Sequence, residues 1–145
     1  MQRLDFAKAS PAAYKALVGV ETYVRDSGLE HSLLELVKLR ASQINGCGFC
    51  VDMHASDARK AGESDRRLHA VAVWRETPFF SPRERAALAW TEALTRLSQQ
   101  PALDADFGAL REQFSEREMV DLSLAISAIN SWNRLAVGFG AQPAL

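Results

Sequence analysis

SLLELVKLRASQINGCGFCVDMHASDARKAG, residues 32–62, is the stretch whose reading decides the fold. An apolar helix over residues 32–44 runs into Asn45-Gly46, a pair that stops helices and forms turns. A second helix opens at Cys47 or Gly48 and ends at Gly62. The same punctuation of helix, break and helix continues in both directions. Upstream, Ser10-Pro11 supplies an N-cap and a proline at the first helical position. Apolar residues then follow to about Val24, with Gly28 as the stop.

Downstream, Ser64 caps a helix containing the apolar run LHAVAVW, and residues 75–80, with Pro78 and two phenylalanines, read as a loop. Ser81-Pro82-Arg83-Glu84 is a capping box with proline at its first turn, and it opens a helix to about Leu97. Pro101 is expected to break the chain before a short helix over residues 104–114. Ser115-Glu116-Arg117-Glu118 is a second capping box, opening a last helix to about Val137, with Gly138 and Gly140 behind it. No stretch alternates β-branched residues in the manner of a strand. The sequence therefore predicts an all-α protein, one domain over residues 1–145, built as a bundle of six to seven helices.

The composition suits such a bundle. Of 145 residues, 48% are hydrophobic, enough to fill a core without disulfide or metal staples. Seventeen basic side chains stand against 18 acidic ones, and the basic pairs Arg66-Arg67 and Arg83/Arg85 have acids beside them, so no nucleic-acid partner is expected. The opening MQRLDFAKAS has no apolar leader segment. The longest uncharged run, residues 122–133, is too short and too rich in serine and asparagine to span a bilayer. A cytoplasmic location without membrane contact is the expectation. That run should be buried all round, either at the bundle centre or beneath another subunit, so a homo-oligomer is expected.

Only two cysteines are present, three residues apart. A disulfide between them closes too small a loop to stabilise a fold, so the spacing points to redox chemistry or metal binding. At about 100° per residue, Cys47, Cys50 and His54 fall within roughly a 60° stripe of one helix face. Free backbone N–H groups at the helix start favour a thiolate at Cys47, whereas the imidazole one turn on favours Cys50. The residues alone leave the choice of attacking sulfur open. One thiolate would attack an electrophile such as a peroxide oxygen and become a sulfenic acid. The second cysteine would condense with it, and an external dithiol would reduce the resulting disulfide.

Other readings of the same residues exist. A zinc site needs four ligands; Cys47, Cys50 and His54 supply three, and His31, His69 or Glu35 would be the fourth. A third reading is a non-catalytic oligomer that uses the cysteines as a redox sensor. His31 reads as a surface residue at a helix start, and His69 as a partly buried structural one. Glu35 reads either as a surface carboxylate paired with Lys38 or as a base in an apolar helix beside the cysteines. Trp74, Phe79, Phe80, Trp90 and Trp132 read as core or subunit contacts, some of them able to form an apolar entrance. Asn130, Asn133 and Arg134 read as residues that fix helix contacts near the site.

Glu35, eleven residues, Cys47-Gly-Phe-Cys50, three residues and His54 together resemble the E-x(11)-C-x-x-C-x-x-x-H signature of AhpD-like alkylhydroperoxidases, in the carboxymuconolactone decarboxylase superfamily. WRETPFFSPRERAALAWTEALT (residues 74–95) and INSWNRL (residues 129–135) also look like segments of its short members, so the resemblance covers about residues 10–140. It implies an all-α fold, a dimer, trimer or hexamer, and peroxidase activity on organic hydroperoxides with no metal or organic cofactor. It also implies that Cys50 becomes the sulfenic acid, Cys47 resolves it, and Glu35 with His54 relays protons. The reductant it implies is a dithiol, lipoyl-bearing or thioredoxin-like protein. Phe49 departs from the pattern: the best-known peroxidases of the family carry histidine there, so the relay here is shorter and slower turnover is expected. The decarboxylases of the superfamily lack the cysteine pair, and decarboxylation is not carried over.

Overall fold

The computed structural model describes residues 1–99 and 102–145, and the regular structure among these residues is all helical, without a strand. Eight α-helices follow one another: α1 (Phe6–Ala9), α2 (Pro11–Arg25), α3 (His31–Ile44), α4 (Gly48–Lys60), α5 (Asp65–Ala70), α6 (Pro82–Thr95), α7 (Asp104–Gln113) and α8 (Glu116–Phe139). Two 3-10 segments, Val71–Glu76 and Leu97–Gln99, complete them. The predicted break at Pro101 lies outside the described residues.

Helix α3 is the axis of the bundle, in contact with α4, α6 and α8. Its sequence is apolar on two sides, and each side feeds a separate core. Leu33, Leu34 and Val37 join Val24, Trp90, Leu110, Leu122 and Ile126 from α2, α6, α7 and α8, and Phe114 at the C-cap of α7. Leu36 and Leu39 join Ala58, Leu68, Val71, Trp74, Phe80 and Leu88 from the opposite side. Glu35, Lys38 and Ser42, at helical spacing, fall between these apolar faces and mark the side that carries the site. No helix among the described residues is long and apolar enough to cross a membrane.

Both predicted capping boxes form. Ser81 and Glu84 bond reciprocally at the start of α6, and Ser115 and Glu118 do so at the start of α8. Several local expectations are corrected. Ser10 occupies the N-cap of α2, but its side chain makes no capping bond. The four-residue α1, capped by Asp5, is too short to leave a periodic signal and was not expected. The LHAVAVW helix changes to a 3-10 segment at Val71, with a kink at Val73. Beyond that kink the buried Trp74 indole donates to Glu92 Oε1 at 2.6 Å. His69 is exposed rather than partly buried, because Leu68, Ala70 and Val71 take the inward positions of that short element. Helix α8 is not enclosed within one chain: Ser127 and Ser131 reach solvent while Ala125, Ile126, Ala128, Ile129 and Asn133 are buried, so of the two placements expected for residues 122–133 the bundle centre is the one excluded.

One arginine of each basic pair is held by acids, while Arg85 donates to backbone carbonyls and Arg66 lies over the Phe79 ring. Arg67 pairs with Glu63 and Glu84, and Arg83 with Glu30 and Glu118. Buried Glu92 gathers Arg40, Arg75 and Arg96 around one carboxylate. Burial alone would push Glu84 and Glu92 up. The bonds from Arg67 and Ser81, and from Trp74 and Arg75, outweigh it and hold both below the usual 4.5. Arg83, with the Ser115 N–H, lowers Glu118 in the same way.

A carboxyl depressed in the folded state contributes stability that is complete above its unfolded value and lost as pH falls through its folded one. The melting temperature should therefore be level from neutrality to about pH 5 and drop below it. Glu92→Gln should melt lower at pH 7 and lose less on acidification, as read by calorimetry across the pH series.

Candidate active site

The link between α3 and α4 fixes the cysteines before any packing does. Gly46, at φ 66°, takes the left-handed position after the Asn45 C-cap. Its N–H donates to Gln43 O at 3.2 Å, and the Cys47 N–H donates to Ser42 O at 3.0 Å. This pair of bonds is a Schellman motif, and it closes α3 with Cys47 as the next residue. Cys47 is at once the N-cap of α4, where its sulfur accepts from the Cys50 N–H at 3.2 Å. Cys47 thus stands at the helix start, where the sequence put it. Cys47 and Cys50 are joined in a disulfide with Cα atoms 5.3 Å apart, and both are buried.

A polar clamp ties this turn to α8. Asn45 Nδ2 donates to Asn130 Oδ1 and to Asn133 Oδ1, both at 2.9 Å. Asn133 Nδ2 donates to Ser42 Oγ at 3.0 Å, and Asn130 Nδ2 donates to Thr95 Oγ1 at 3.1 Å. Asn130 and Asn133 thus fix helix contacts beside the cysteines, as the sequence suggested, whereas Arg134 is exposed and takes no part. Ser42 and Asn45 were not singled out in the sequence, where Asn45 reads only as a helix stop.

His54 is buried one turn beyond Cys50, and its Nδ1 lies 2.9 Å from Glu35 Oε2. Glu35 is therefore not the partner of Lys38; Lys38 reaches across to Glu21 of α2. Of the other histidines, His31 Nε2 contacts Arg25 O at 3.1 Å, and His69 lies exposed on α5. No three His, Cys, Asp or Glu side chains converge in a metal-binding group among the described residues.

A cavity of about 500 Å³ opens onto Cys50 and His54 but not onto Cys47. Phe6, Tyr14, Phe49, Met53 and Trp132 supply its apolar wall. Tyr14 and Trp132 meet edge to face, 5.6 Å between ring centroids, and Phe6 lies 6.3 Å from Tyr14. Of the aromatics weighed from sequence for an entrance, only Trp132 lines this cavity. Trp74 and Phe80 are buried in the second core, and Phe79 packs against it. Phe6 and Tyr14 sit on the first two helices, far from the cysteines in sequence, and no local pattern marks them. Backbone bonds from Arg3 and Leu4 to Phe139 O bring the N-terminal segment across α8 to this wall.

The carboxymuconolactone decarboxylase family profile matches residues 11–93, more than half the chain. The chain belongs to the carboxymuconolactone decarboxylase family. YdfG of Bacillus subtilis, a family relative without an assigned function, is 40% identical over 143 residues, 99% of this chain and 97% of that protein. A crystal structure of an Agrobacterium tumefaciens protein of unknown function, whose suggested role is that of the antioxidant defence protein AhpD, superposes with a TM-score of 0.97. It is 48% identical and covers 100% of this chain and 99% of its own. Alkyl hydroperoxide reductase AhpD of Coxiella burnetii is 40% identical over 48 residues, 33% of this chain and 27% of its own length. The AhpD-like helical fold expected from the sequence is thus the fold of this family member.

Three substitutions test the turn. Gly46 and Gly48 both face open space, but only Gly46 holds a left-handed φ. Gly46→Ala should cost about 1–2 kcal/mol and Gly48→Ala much less. Asn133→Ala should cost about 1–3 kcal/mol by removing the donor to Ser42 Oγ and one of the two acceptors of Asn45 Nδ2. Urea denaturation of the oxidised proteins measures all three.

Proposed function

We propose that this protein is a cysteine-based peroxidase and disulfide oxidoreductase acting on organic hydroperoxides. The observation that carries the reading is the cavity in which Cys50 sits beside an imidazole bonded to a carboxylate, with Cys47 already in disulfide reach. The partial likeness to AhpD of Coxiella burnetii supports the same chemistry.

In the reduced protein, His54 takes the Cys50 thiol proton, helped by Glu35 at Nδ1. The Cys50 thiolate attacks the outer peroxide oxygen, the O–O bond breaks, and the alkoxide leaves as the alcohol by accepting the proton held on the relay. Cys50 is then a sulfenic acid. The Cys47 sulfur attacks it, water departs with the Cys47 proton, and the disulfide forms. Two electrons from a dithiol, of the lipoyl or thioredoxin-like class, restore both thiols by exchange. No metal or organic cofactor enters these steps. Cys50 is assigned the attack because the cavity reaches it and not Cys47.

Phe49 lines the cavity as an apolar wall and offers no ring nitrogen, so the relay consists of His54 and Glu35 alone. The reaction fits a cytoplasmic setting, where dithiol reductants keep such pairs cycling. A homo-oligomer is part of the proposal. Helix α8 exposes Val120 and Val137 at 68% and 48%, with Ser127 and Ser131 between them, and a second copy would cover that side. Sedimentation velocity should then give a dimer or larger species, and Val120→Glu should shift it toward the monomer.

Steady-state reduction of cumene hydroperoxide by dihydrolipoamide tests the chemistry. Cys50→Ser should fall to background. Cys47→Ser should keep a single oxidation step that leaves a sulfenic acid trapped by dimedone. Glu35→Gln and His54→Ala should each lower turnover by about 10²-fold or more. Peroxide consumption at the wild-type rate by Cys50→Ser would refute the assignment.

A further inference from the structure

A second cavity, about 310 Å³, also borders His54, and all but two of its lining residues, Leu34 and Ala61, carry charged or titratable side chains. The charged and titratable groups facing it are Glu21 and Arg25 from α2, His31, Glu35 and Lys38 from α3, and His54 and Asp57 from α4. Most have a settled neighbour. Asp57 lies 3.6 Å from Lys60, Arg25 lies 3.5 Å from Asp26, and His31 rests on a backbone carbonyl. Lys38 and Glu35 are the pair whose arrangement runs against local expectation.

On a helix, a carboxylate and an ammonium three residues apart meet on the surface of one face. Lys38 and Glu35 have that spacing, both border this cavity, and yet no ion pair joins them. The Lys38 side chain is only 9% exposed and its ammonium is held by Glu21 Oε1. An ammonium has three N–H donors, and Glu21 is the one acceptor Lys38 has among the described residues. Glu35 gives Oε2 to His54, and its Oε1 accepts no hydrogen bond among the described residues. A buried cation with spare donors thus stands at helical contact distance from a carboxylate with a spare oxygen. A buried ammonium that loses its partner must find another acceptor or lose its charge.

We propose that Glu21 is a positioning residue for the active site: it restrains Lys38, so that Glu35 remains bonded to His54 and orients the ring for Cys50. The proposal rests on the assignment of Glu35 and His54 as the proton relay. With Lys38 engaged by α2, the Glu35 carboxylate serves Nδ1 and leaves Nε2 as the ring nitrogen available to the thiol. Without Glu21, the ammonium turns to Glu35 and competes with the imidazole for the same carboxylate.

Three variants of the full-length protein separate this role from simple packing. Glu21→Gln, nearly isosteric, should lower kcat with cumene hydroperoxide and dihydrolipoamide by about tenfold and leave KM within about twofold. Its oxidised form should show the His54 ring nitrogens, observed by nitrogen-15 NMR, moved away from the wild-type hydrogen-bonded pattern. Lys38→Met removes the competing cation, and the double variant Glu21→Gln/Lys38→Met should recover kcat to within about threefold of wild type, together with the wild-type ring signals. Glu21→Asp, which keeps the charge on a shorter arm, should show a smaller loss in the same direction and serves if Glu21→Gln does not fold. Wild-type ring signals and kcat in a folded Glu21 variant would overturn the proposal, as would a double variant no better than Glu21→Gln. The ring signals need no turnover, so they decide the positioning role even if the wild type proves to have no peroxidase activity and the functional reading fails.

Discussion

The hydrogen-bonded turn at residues 42–47 is the constraint from which the site follows. Its two Schellman bonds end one helix and deliver Cys47 as the cap of the next, so the direction in which α4 departs is set by backbone geometry. Once α4 leaves in that direction, Cys50 and His54 fall on the side that faces α3, and His54 meets Glu35 nineteen positions earlier in the chain. The asparagine clamp from α8 holds the same turn from behind. An amide side chain suits this task because it donates and accepts at once, and Asn133 uses both functions within one buried cluster.

Helix α3 serves two structural purposes that compete for surface. It must separate and fill two hydrophobic cores, which uses Leu33, Leu34 and Val37 on one side and Leu36 and Leu39 on the other. The remaining strip carries Glu35, Lys38 and Ser42, and each of these polar groups bonds to a side chain of a different element: α4, α2 and α8 respectively. Burying charge in such a strip is costly unless each group has its partner, and the chain supplies one for each. The side chains of the site are therefore held by the same helix that organises the fold.

Much of this was legible in the sequence because it is written in local signals. The capping boxes at Ser81 and Ser115, the stop at Asn45-Gly46, the helix starts at Ser10-Pro11 and Ser64, the break expected at Pro101 and the absence of strand patterning give seven of the helices and the class. The motif from Glu35 to His54 is legible because helical spacing alone brings Cys50 near His54. What stayed hidden depends on contacts between distant segments. Whether Glu35 would face Lys38 or His54 is decided by how α3 and α4 cross, and the Lys38 partner, Glu21, lies on another helix altogether. The aromatic wall escaped for the same reason: Tyr14 comes to Trp132 through the packing of α2 on α8, and Phe6 joins Tyr14 from the docked N-terminal segment. The change to 3-10 geometry at Val71 escaped because its benefit, the Trp74 bond to Glu92, belongs to tertiary structure.

The outer wall of the Cys50 cavity is attached differently from its floor. Residues 2–7 are fastened chiefly by backbone bonds to Phe139 and by the guanidinium of Arg3 on the carbonyls of Val137 and Gly138. None of them belongs to the two large hydrophobic cores. The cavity is thus lined from two differently anchored parts of the chain, Gln2, Asp5, Phe6 and Ala7 on one side and Phe49, Met53 and Trp132 on the other, and a change among the leading residues reshapes its rim without entering either core.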